Sequence, residues 1–93
     1  MSRVTVRLFG GLRAFAPEAE VALEVGERES ISVGELKTAI AARLTETSGG
    51  RDASQWVSAS ALAFEDRIVA SGERLTLAAD SCRLALLPPV NGG

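Results

Sequence analysis

Apolar residues alternate with polar ones in two segments near the start of the chain. Residues 3–9 and residues 21–25 both place valine or leucine at every second position. In an extended strand, this alternation puts the apolar side chains on one face and the polar ones on the other. Gly10 and Gly11 end the first segment, and a loop through Pro17 follows. Because the two segments are close in sequence, we expect them to pair as an antiparallel hairpin with a long loop.

The hydrophobic period changes after residues 26–30, which are charged and predict a turn. Four apolar residues then recur at steps of three and four, as on one face of an amphipathic helix: Val33, Leu36, Ile40 and Leu44. Ser32 precedes them, and Glu35 follows at the spacing of a capping box. We therefore predict a helix over about residues 33–45, with this apolar stripe packed on a sheet.

The region after the helix gives weaker patterns. Residues 45–54 carry almost no apolar side chains and predict a mobile surface loop. Within residues 56–63, apolar residues occupy alternate positions at Val57, Ala59 and Ala61, which suggests a strand. The pattern is ambiguous because these side chains are small. Residues 67–70 predict another short strand.

The last clear strand covers residues 82–87, with Leu84 and Leu86 facing the core. Two prolines, Pro88 and Pro89, end it because proline cannot donate to a strand ladder. The predicted order is thus β-β-α-β-β. A mixed sheet crossed by one main helix, which is a grasp-type α+β fold, satisfies this order.

The composition fits one small domain and argues against several classes of function. The chain has 93 residues, one cysteine, no histidine and a net charge of −2. It shows no signal peptide and no apolar run near the roughly 18–20 residues of a membrane helix, so we expect a cytoplasmic protein. Its basic residues are scattered, which argues against nucleic-acid binding. Without histidine, a multi-ligand zinc site is excluded, and we predict no metal.

The lack of histidine also favours a carrier over an enzyme, because histidine is the usual proton-transfer group at neutral pH. A reactive Cys82 would need a neighbouring cation, but Arg83 points to the opposite face of a strand. A small buried or edge residue is the favoured interpretation of Cys82. Glu65 and Asp66 are adjacent in sequence, which is typical of a solvated turn and not of facing catalytic carboxylates.

The end of the chain is the strongest candidate site. The two prolines stiffen the exit from the last strand, so we expect a tail formed by residues 88–93 to project from the domain. Gly92 and Gly93 place no side chain beside the final carboxylate. A partner enzyme can therefore draw the tail into a narrow channel and reach the terminal carbonyl. A frayed terminus is the alternative interpretation.

Three segments together resemble a known family. After the first strand, a Phe-x-x-Leu-Arg pattern is formed by Phe9-Gly10-Gly11-Leu12-Arg13. A characteristic helix start is similar to Ser32-Val33-Gly34-Glu35-Leu36. The segment most specific to the family is the tail with the residues before it, Leu86-Leu87-Pro88-Pro89-Val90-Asn91-Gly92-Gly93. The chain thus resembles the MoaD/ThiS family of ubiquitin-like sulfur carriers, and within it the small subunits of molybdopterin synthase. It departs from the family at Ser81-Cys82, where Gly-Asp is usual, and at residues 63–67, which lack a Val-Asn signature.

The resemblance implies a single ubiquitin-like β-grasp domain over residues 1–93 and a working group at its end. An E1-like enzyme would adenylate the Gly93 carboxylate with ATP, and a sulfurtransferase or cysteine desulfurase would help convert it to a thiocarboxylate. An acceptor such as the large subunit of molybdopterin synthase would then take the sulfur. The residues implied to thread into these partners are Pro88, Pro89, Val90, Asn91 and Gly92. The chain itself would bind no cofactor and supply no catalytic side chain.

The docking surface for these partners should be apolar. The inward orientation predicted for the last strand turns Ala85 and Leu87 outward beside the tail. We predict that this face, with Phe9 and Leu12 adjoining, contacts the activating enzyme and the sulfur acceptor. The alternative is that Phe9 and Leu12 belong to the core, since apolar residues are usually buried.

Three other functions remain open at this point. The same carrier chemistry can serve the synthesis of cysteine, thiazole or a sulfur-containing natural product. A ubiquitin-like modifier would instead be joined through Gly93 to lysines of other proteins. In an interaction module with an accidental diglycine, Gly92 and Gly93 would have no role.

Overall fold

The computed structural model describes residues 3–25, 30–64, 67–70, 72–76 and 81–88, with the side chains of Ser81 and Cys82 outside the description. The elements in chain order are β1 (Arg3–Leu8), a 3-10 helix (Gly10–Phe15), β2 (Glu20–Glu24), β3 (Ser30–Ser32), α1 (Val33–Thr47), α2 (Ser54–Ala59), β4 (Ala61–Phe64), β5 (Arg67–Val69), β6 (Arg74–Thr76) and β7 (Ser81–Leu87). Within the described residues, no helix is long and apolar enough to cross a membrane. The predicted turn at Glu65 and Asp66 lies outside the described residues.

Five strands form one mixed sheet in the order β2–β1–β7–β4–β5. β1 pairs with β2 in the antiparallel sense and with β7 in the parallel sense. β4 is antiparallel to both β7 and β5. The predicted hairpin of the first two strands and the predicted mixed sheet are therefore confirmed. β7 has a strand on each side, so the last described strand lies in the interior of the sheet and not at an edge.

The main helix packs its predicted apolar stripe on the core. All four stripe residues are fully buried: Val33, Leu36, Ile40 and Leu44. Ser32 Oγ accepts a hydrogen bond from the backbone N–H of Glu35 at 3.1 Å, which confirms the predicted N-cap. The helix continues to Thr47, whose hydroxyl donates to the carbonyl of Phe15 at 2.7 Å. That bond ties the end of α1 to the 3-10 helix.

The strand suggested within residues 56–63 is wrong in its first half. Residues 54–59 form the short helix α2, and the strand β4 begins only at Ala61. The helix is fixed by Ala53 and Val57, which are both buried and joined by a backbone hydrogen bond of 3.0 Å. Residues one helical turn apart share a face, so this pair buries one side of the helix. The loop predicted over residues 45–54 is shorter than expected, because α1 continues to Thr47 and α2 begins at Ser54. Ala53 is buried, so the end of this loop packs on the core.

Two short strands were not predicted from the sequence. β3 and β6 pair in the antiparallel sense and place Ile31 opposite Leu75, both of which are buried. The backbone N–H of Val33 then donates to the carbonyl of Glu73 at 3.0 Å. This small ladder therefore positions the start of α1 relative to the second half of the chain.

Glu73 also forms hydrogen bonds with Ala70 and Arg67. Its Oε2 accepts from the backbone N–H of Ala70 at 2.6 Å, and its Oε1 accepts from Arg67 Nη1 at 3.2 Å. Its own backbone N–H donates to the carbonyl of Ala70 at 3.0 Å. The Ala70 N–H, with a smaller contribution from Arg67, lowers the pKa of the Glu73 carboxyl below its ordinary value.

At neutral pH we expect Glu73→Gln to lower the melting temperature slightly. As the pH falls, the melting temperature of this variant should decrease less steeply than that of the wild type. Because the pKa of Glu73 is lower in the folded chain, the stabilisation is complete above the unfolded pKa and is lost as the pH falls through the folded pKa. Thermal unfolding followed from neutral pH to about pH 2 measures the effect. Glu46→Gln, which removes an exposed 4.0 Å pair with Arg43, is the control and should be nearly neutral. Parallel curves for Glu73→Gln and the wild type would contradict the prediction.

Candidate functional site

The tail begins at a fixed point on the domain. Pro88 follows the interior strand β7, and its ring lies against Gly10 at the start of the 3-10 helix. A Cβ atom added to Gly10 would lie 2.7 Å from Pro88 Cγ, and Gly10 has a φ of +59°, a conformation that favours glycine. The backbone N–H of Phe9 donates to the carbonyl of Leu86 at 3.3 Å on the same side. We call Pro88 and the surface around it the stem.

An apolar surface covers the outward side of the sheet next to the stem. In the strand register, Leu87 lies opposite Ala61, and Ala85 opposite Ala63, while Ala63 lies opposite Ile68 on its other side. The leucine and the three alanines are half-buried, and Ile68 is 55% exposed. We call these five residues the apolar sheet face. Because Leu84 and Leu86 are buried on the other side of β7, the predicted outward orientation of Ala85 and Leu87 is confirmed.

The two residues predicted to adjoin this face lie in different environments. Phe9 is 39% exposed at the end of β1, and the Arg7 guanidinium lies 5.7 Å from the centroid of its ring. Leu12 is fully buried in the core, so its predicted place on the docking surface is corrected. The 3-10 helix turns Leu12 and Phe15 inward together, and the core interpretation holds for Leu12.

The side of the stem next to β1 and β2 is charged. A cavity of about 600 Å³ opens there, and its lining includes Arg7, Arg13, Glu18, Glu20 and Arg83. Both signs of charge are present in this lining, which suits polar contacts to another protein surface. The apolar sheet face and this charged cavity therefore offer a partner two different kinds of contact around the stem.

Most of the predicted tail lies beyond the description. Of its residues, Pro88 is described, whereas Pro89, Val90, Asn91, Gly92 and Gly93 lie outside the described residues. Their roles therefore stay predictions. The backbone of Cys82 lies in β7 opposite Val4, and its side chain also lies outside the description, so its interpretation is untested.

Three members of the apolar sheet face were missed in the sequence: Ala61, Ala63 and Ile68. Their place depends on the register of β4 and β5 on β7, which is a contact between distant parts of the chain. Trp56 was also not singled out, although it is 43% exposed and lies on α2 above Gly11. The signal available in the sequence was the occurrence of one tryptophan in a chain with few aromatic residues.

Comparison with known proteins identifies the fold. The sequence matches no protein-family model and no curated protein. The crystal structure of SAMP1 from Haloferax volcanii is similar, with a TM-score of 0.63 and 23% identity over 99% of this chain and 100% of that one. A structure of H. volcanii small archaeal modifier protein 1 has a TM-score of 0.63 and 22% identity over 97% of this chain and 100% of that one. The predicted ubiquitin-like β-grasp fold is therefore confirmed.

Proposed function

We propose that this chain is a ubiquitin-like sulfur carrier that works through the carboxylate of Gly93. The observation that supports it best is the stem: an interior strand of a β-grasp sheet leads into Pro88, which is packed on Gly10. The remaining residues, ending in two glycines, thus start from a defined position on a rigid body. A partner that recognises the domain therefore finds the start of the tail at a fixed place on the domain surface.

The proposed chemistry begins with an activating enzyme of the E1-like kind. The Gly93 carboxylate attacks the α-phosphate of ATP, and pyrophosphate leaves. The product is an acyl-adenylate, and it is needed because a free carboxylate is a poor electrophile. Since this step consumes ATP, the proposal places the chain in the cytoplasm.

Sulfur enters in the second stage. A persulfide on a sulfurtransferase or cysteine desulfurase attacks the acyl carbon, and AMP leaves. A thiol then reduces the resulting acyl disulfide, which releases the Gly93 thiocarboxylate and forms a disulfide on the donor side. The thiocarboxylate is ionised at neutral pH and carries a nucleophilic sulfur. In these steps the carrier contributes its main-chain carboxyl group and its docking surface, and no side chain of the carrier is needed for proton transfer.

The proposed use of the sulfur is molybdopterin synthesis. The tail would insert into the large subunit of molybdopterin synthase, where sulfur passes to a cyclic pterin precursor. The Pro-Pro-Val sequence of the tail supports this use through the resemblance described above. The same carrier chemistry in the synthesis of cysteine, thiazole or a sulfur-containing natural product is the alternative within this proposal.

A ubiquitin-like protein modifier is the second candidate function. It is favoured by the similarity to solved structures that are named small archaeal modifier proteins. In this case the amine of a lysine on another protein would attack the activated Gly93 carbonyl, AMP would leave, and an isopeptide bond would form. Both candidates share the activation step and differ in the nucleophile that follows.

Intact mass spectrometry separates the two candidates. The chain is expressed together with the activating enzyme and the sulfur donor, and a carrier should gain the mass difference between one sulfur and one oxygen atom. A ladder of isopeptide conjugates without that gain would support the modifier. The purified thiocarboxylate is then mixed with the large subunit and the pterin precursor. Formation of a dithiolene supports the molybdopterin use, and its absence favours the alternative acceptors.

We expect Leu87→Glu to weaken docking. Leu87 is half-buried next to Pro88 and opposite Ala61, so a carboxylate there would be desolvated whenever an apolar partner surface covers the sheet face. The KM for the carrier in ATP–pyrophosphate exchange should rise by roughly tenfold or more, since an unpaired buried charge costs several kcal/mol. Thr38→Glu, an exposed position on α1, is the control. Unchanged affinity of Leu87→Glu for both the activating enzyme and the acceptor would disprove the docking role of this face.

A further inference from the structure

Trp56 lies on α2, and its ring packs on the 3-10 helix at Gly11. A Cβ atom added to Gly11 would lie 3.0 Å from Trp56 Cη2 and Cζ3, so the six-membered ring of the tryptophan covers this glycine. The ring also contacts Phe15 edge-on, with centroids 6.1 Å apart and an interplanar angle of 62°. Arg51 stacks on the Phe15 ring at 4.8 Å from its centroid. Trp56 is therefore held by its neighbours and is still 43% exposed.

Partial exposure of a tryptophan is common and is not evidence of a function by itself. Two further observations distinguish Trp56. Its ring is already fixed by packing, so a partner that covers it loses little side-chain entropy on binding. Its ring also lies over Gly11 while the Pro88 ring lies over Gly10, and consecutive Cα atoms are only about 3.8 Å apart. Trp56 and Pro88 thus cover consecutive residues of the 3-10 helix, which places Trp56 near the stem.

The length of the tail limits where an enzyme acting on it can sit. Residues 89–93 follow Pro88, and five fully extended residues span at most about 18 Å. An enzyme that holds the Gly93 carboxyl in its active site must therefore bring its own surface close to the stem. Since Trp56 lies near the stem, its exposed ring falls within the area that such an enzyme covers.

We propose that Trp56 is an anchor residue for the E1-like activating enzyme and that its exposed ring enters an apolar pocket beside the channel for the tail. The inference rests on the proposed function, because that function supplies the enzyme. The activating enzyme is the partner required by both candidate functions. Trp56 takes no part in the reaction itself and acts on binding alone. Aromatic residues at the centre of an interface often supply much of the binding energy.

The first test is the kinetics of ATP–pyrophosphate exchange with the E1-like adenylating enzyme from the same organism. For Trp56→Ala we expect KM for the carrier to rise about 10- to 30-fold, with kcat within about twofold. Trp56→Phe should lie between Trp56→Ala and the wild type. Ser58→Ala, an exposed change two residues further along α2, should behave as the wild type because the two positions face different directions. Circular dichroism spectra and melting temperatures show which variants are folded at the assay temperature.

The second test uses the single tryptophan of the chain as a probe. With fluorotryptophan at position 56, the otherwise unmodified chain gives one fluorine NMR resonance, and this resonance should shift or broaden when the adenylating enzyme is added without ATP. An unmoved resonance together with an unchanged KM for Trp56→Ala would overturn the inference, as would a KM increase of the same size for Ser58→Ala. If the wild type shows no exchange, the proposed function fails, and the fluorine titration alone decides whether Trp56 docks on this enzyme.

Discussion

A chain that lacks Gly92 and Gly93 is expected to lose ATP–pyrophosphate exchange to the level of the no-carrier background. The shortened tail would end at Asn91, whose carboxylate would stop about 7 Å short, since each extended residue spans about 3.3–3.6 Å. Misplacement of a reacting group by about 1 Å can already cost a hundredfold in rate. The new terminal carboxylate would also have a Cβ atom beside it, which glycine lacks. Exchange of radiolabelled pyrophosphate into ATP measures the loss.

The folded domain provides the control for this deletion. Every core residue that the structure describes precedes Pro88, so the shortened chain should melt at the temperature of the wild type. Gly93→Ala keeps the length and adds one methyl group, and it should retain a small part of the activity. Full exchange by the shortened chain would contradict the carrier and modifier proposals together. It would support an interaction module in which the diglycine has no role.

The elements predicted most clearly from the sequence are those in which a local pattern repeats several times, although the three-residue strand β5 was also predicted. β1 and β7 each show period-two alternation over at least six residues, and α1 shows four stripe residues behind a capped start. The short elements that were not predicted have too few residues for a repeat. β3 and β6 have three residues each, and α2 has six, of which Val57 is the one buried member. Their structure is decided by packing between distant segments, which overrides local preference.

The same distinction applies to the candidate site. The outward orientation of Ala85 and Leu87 followed from alternation within one strand and was predictable. The inward orientation of Leu12 depends on the 3-10 helix, in which Leu12 and Phe15 are three residues apart and face the core together. This segment begins with two glycines and was predicted to be a loop, so the spacing was not recognised as helical. Ile68 lies on β5 and Trp56 on α2. Neither the pairing of β5 with β4 nor the contact of the Trp56 ring with Gly11 can be recognised from a pattern in the local sequence.

Leu86→Ala is expected to destabilise the domain by about 2–5 kcal/mol, which is the usual cost of removing a buried leucine side chain. Leu86 is fully buried in the interior strand β7 and lies opposite Leu8 on one side and Leu62 on the other, both of which are also buried. Neighbours fixed in paired strands on both sides can relax only partly into the space that is left. Since domains of this size are stable by only about 5–15 kcal/mol, the loss is a large share of the total.

Urea unfolding is the direct measurement, and the midpoint should fall while the slope m stays unchanged. Ile68→Ala is the matched control because it shortens another large aliphatic side chain of the same sheet at a position that is 55% exposed. This change should cost no more than about 0.5 kcal/mol, as most surface substitutions do. If both variants lost the same stability, Leu86 would not be a core residue of an interior strand. The stem would then not start from a rigid body, so this stability comparison also tests the structural basis of the proposed carrier function.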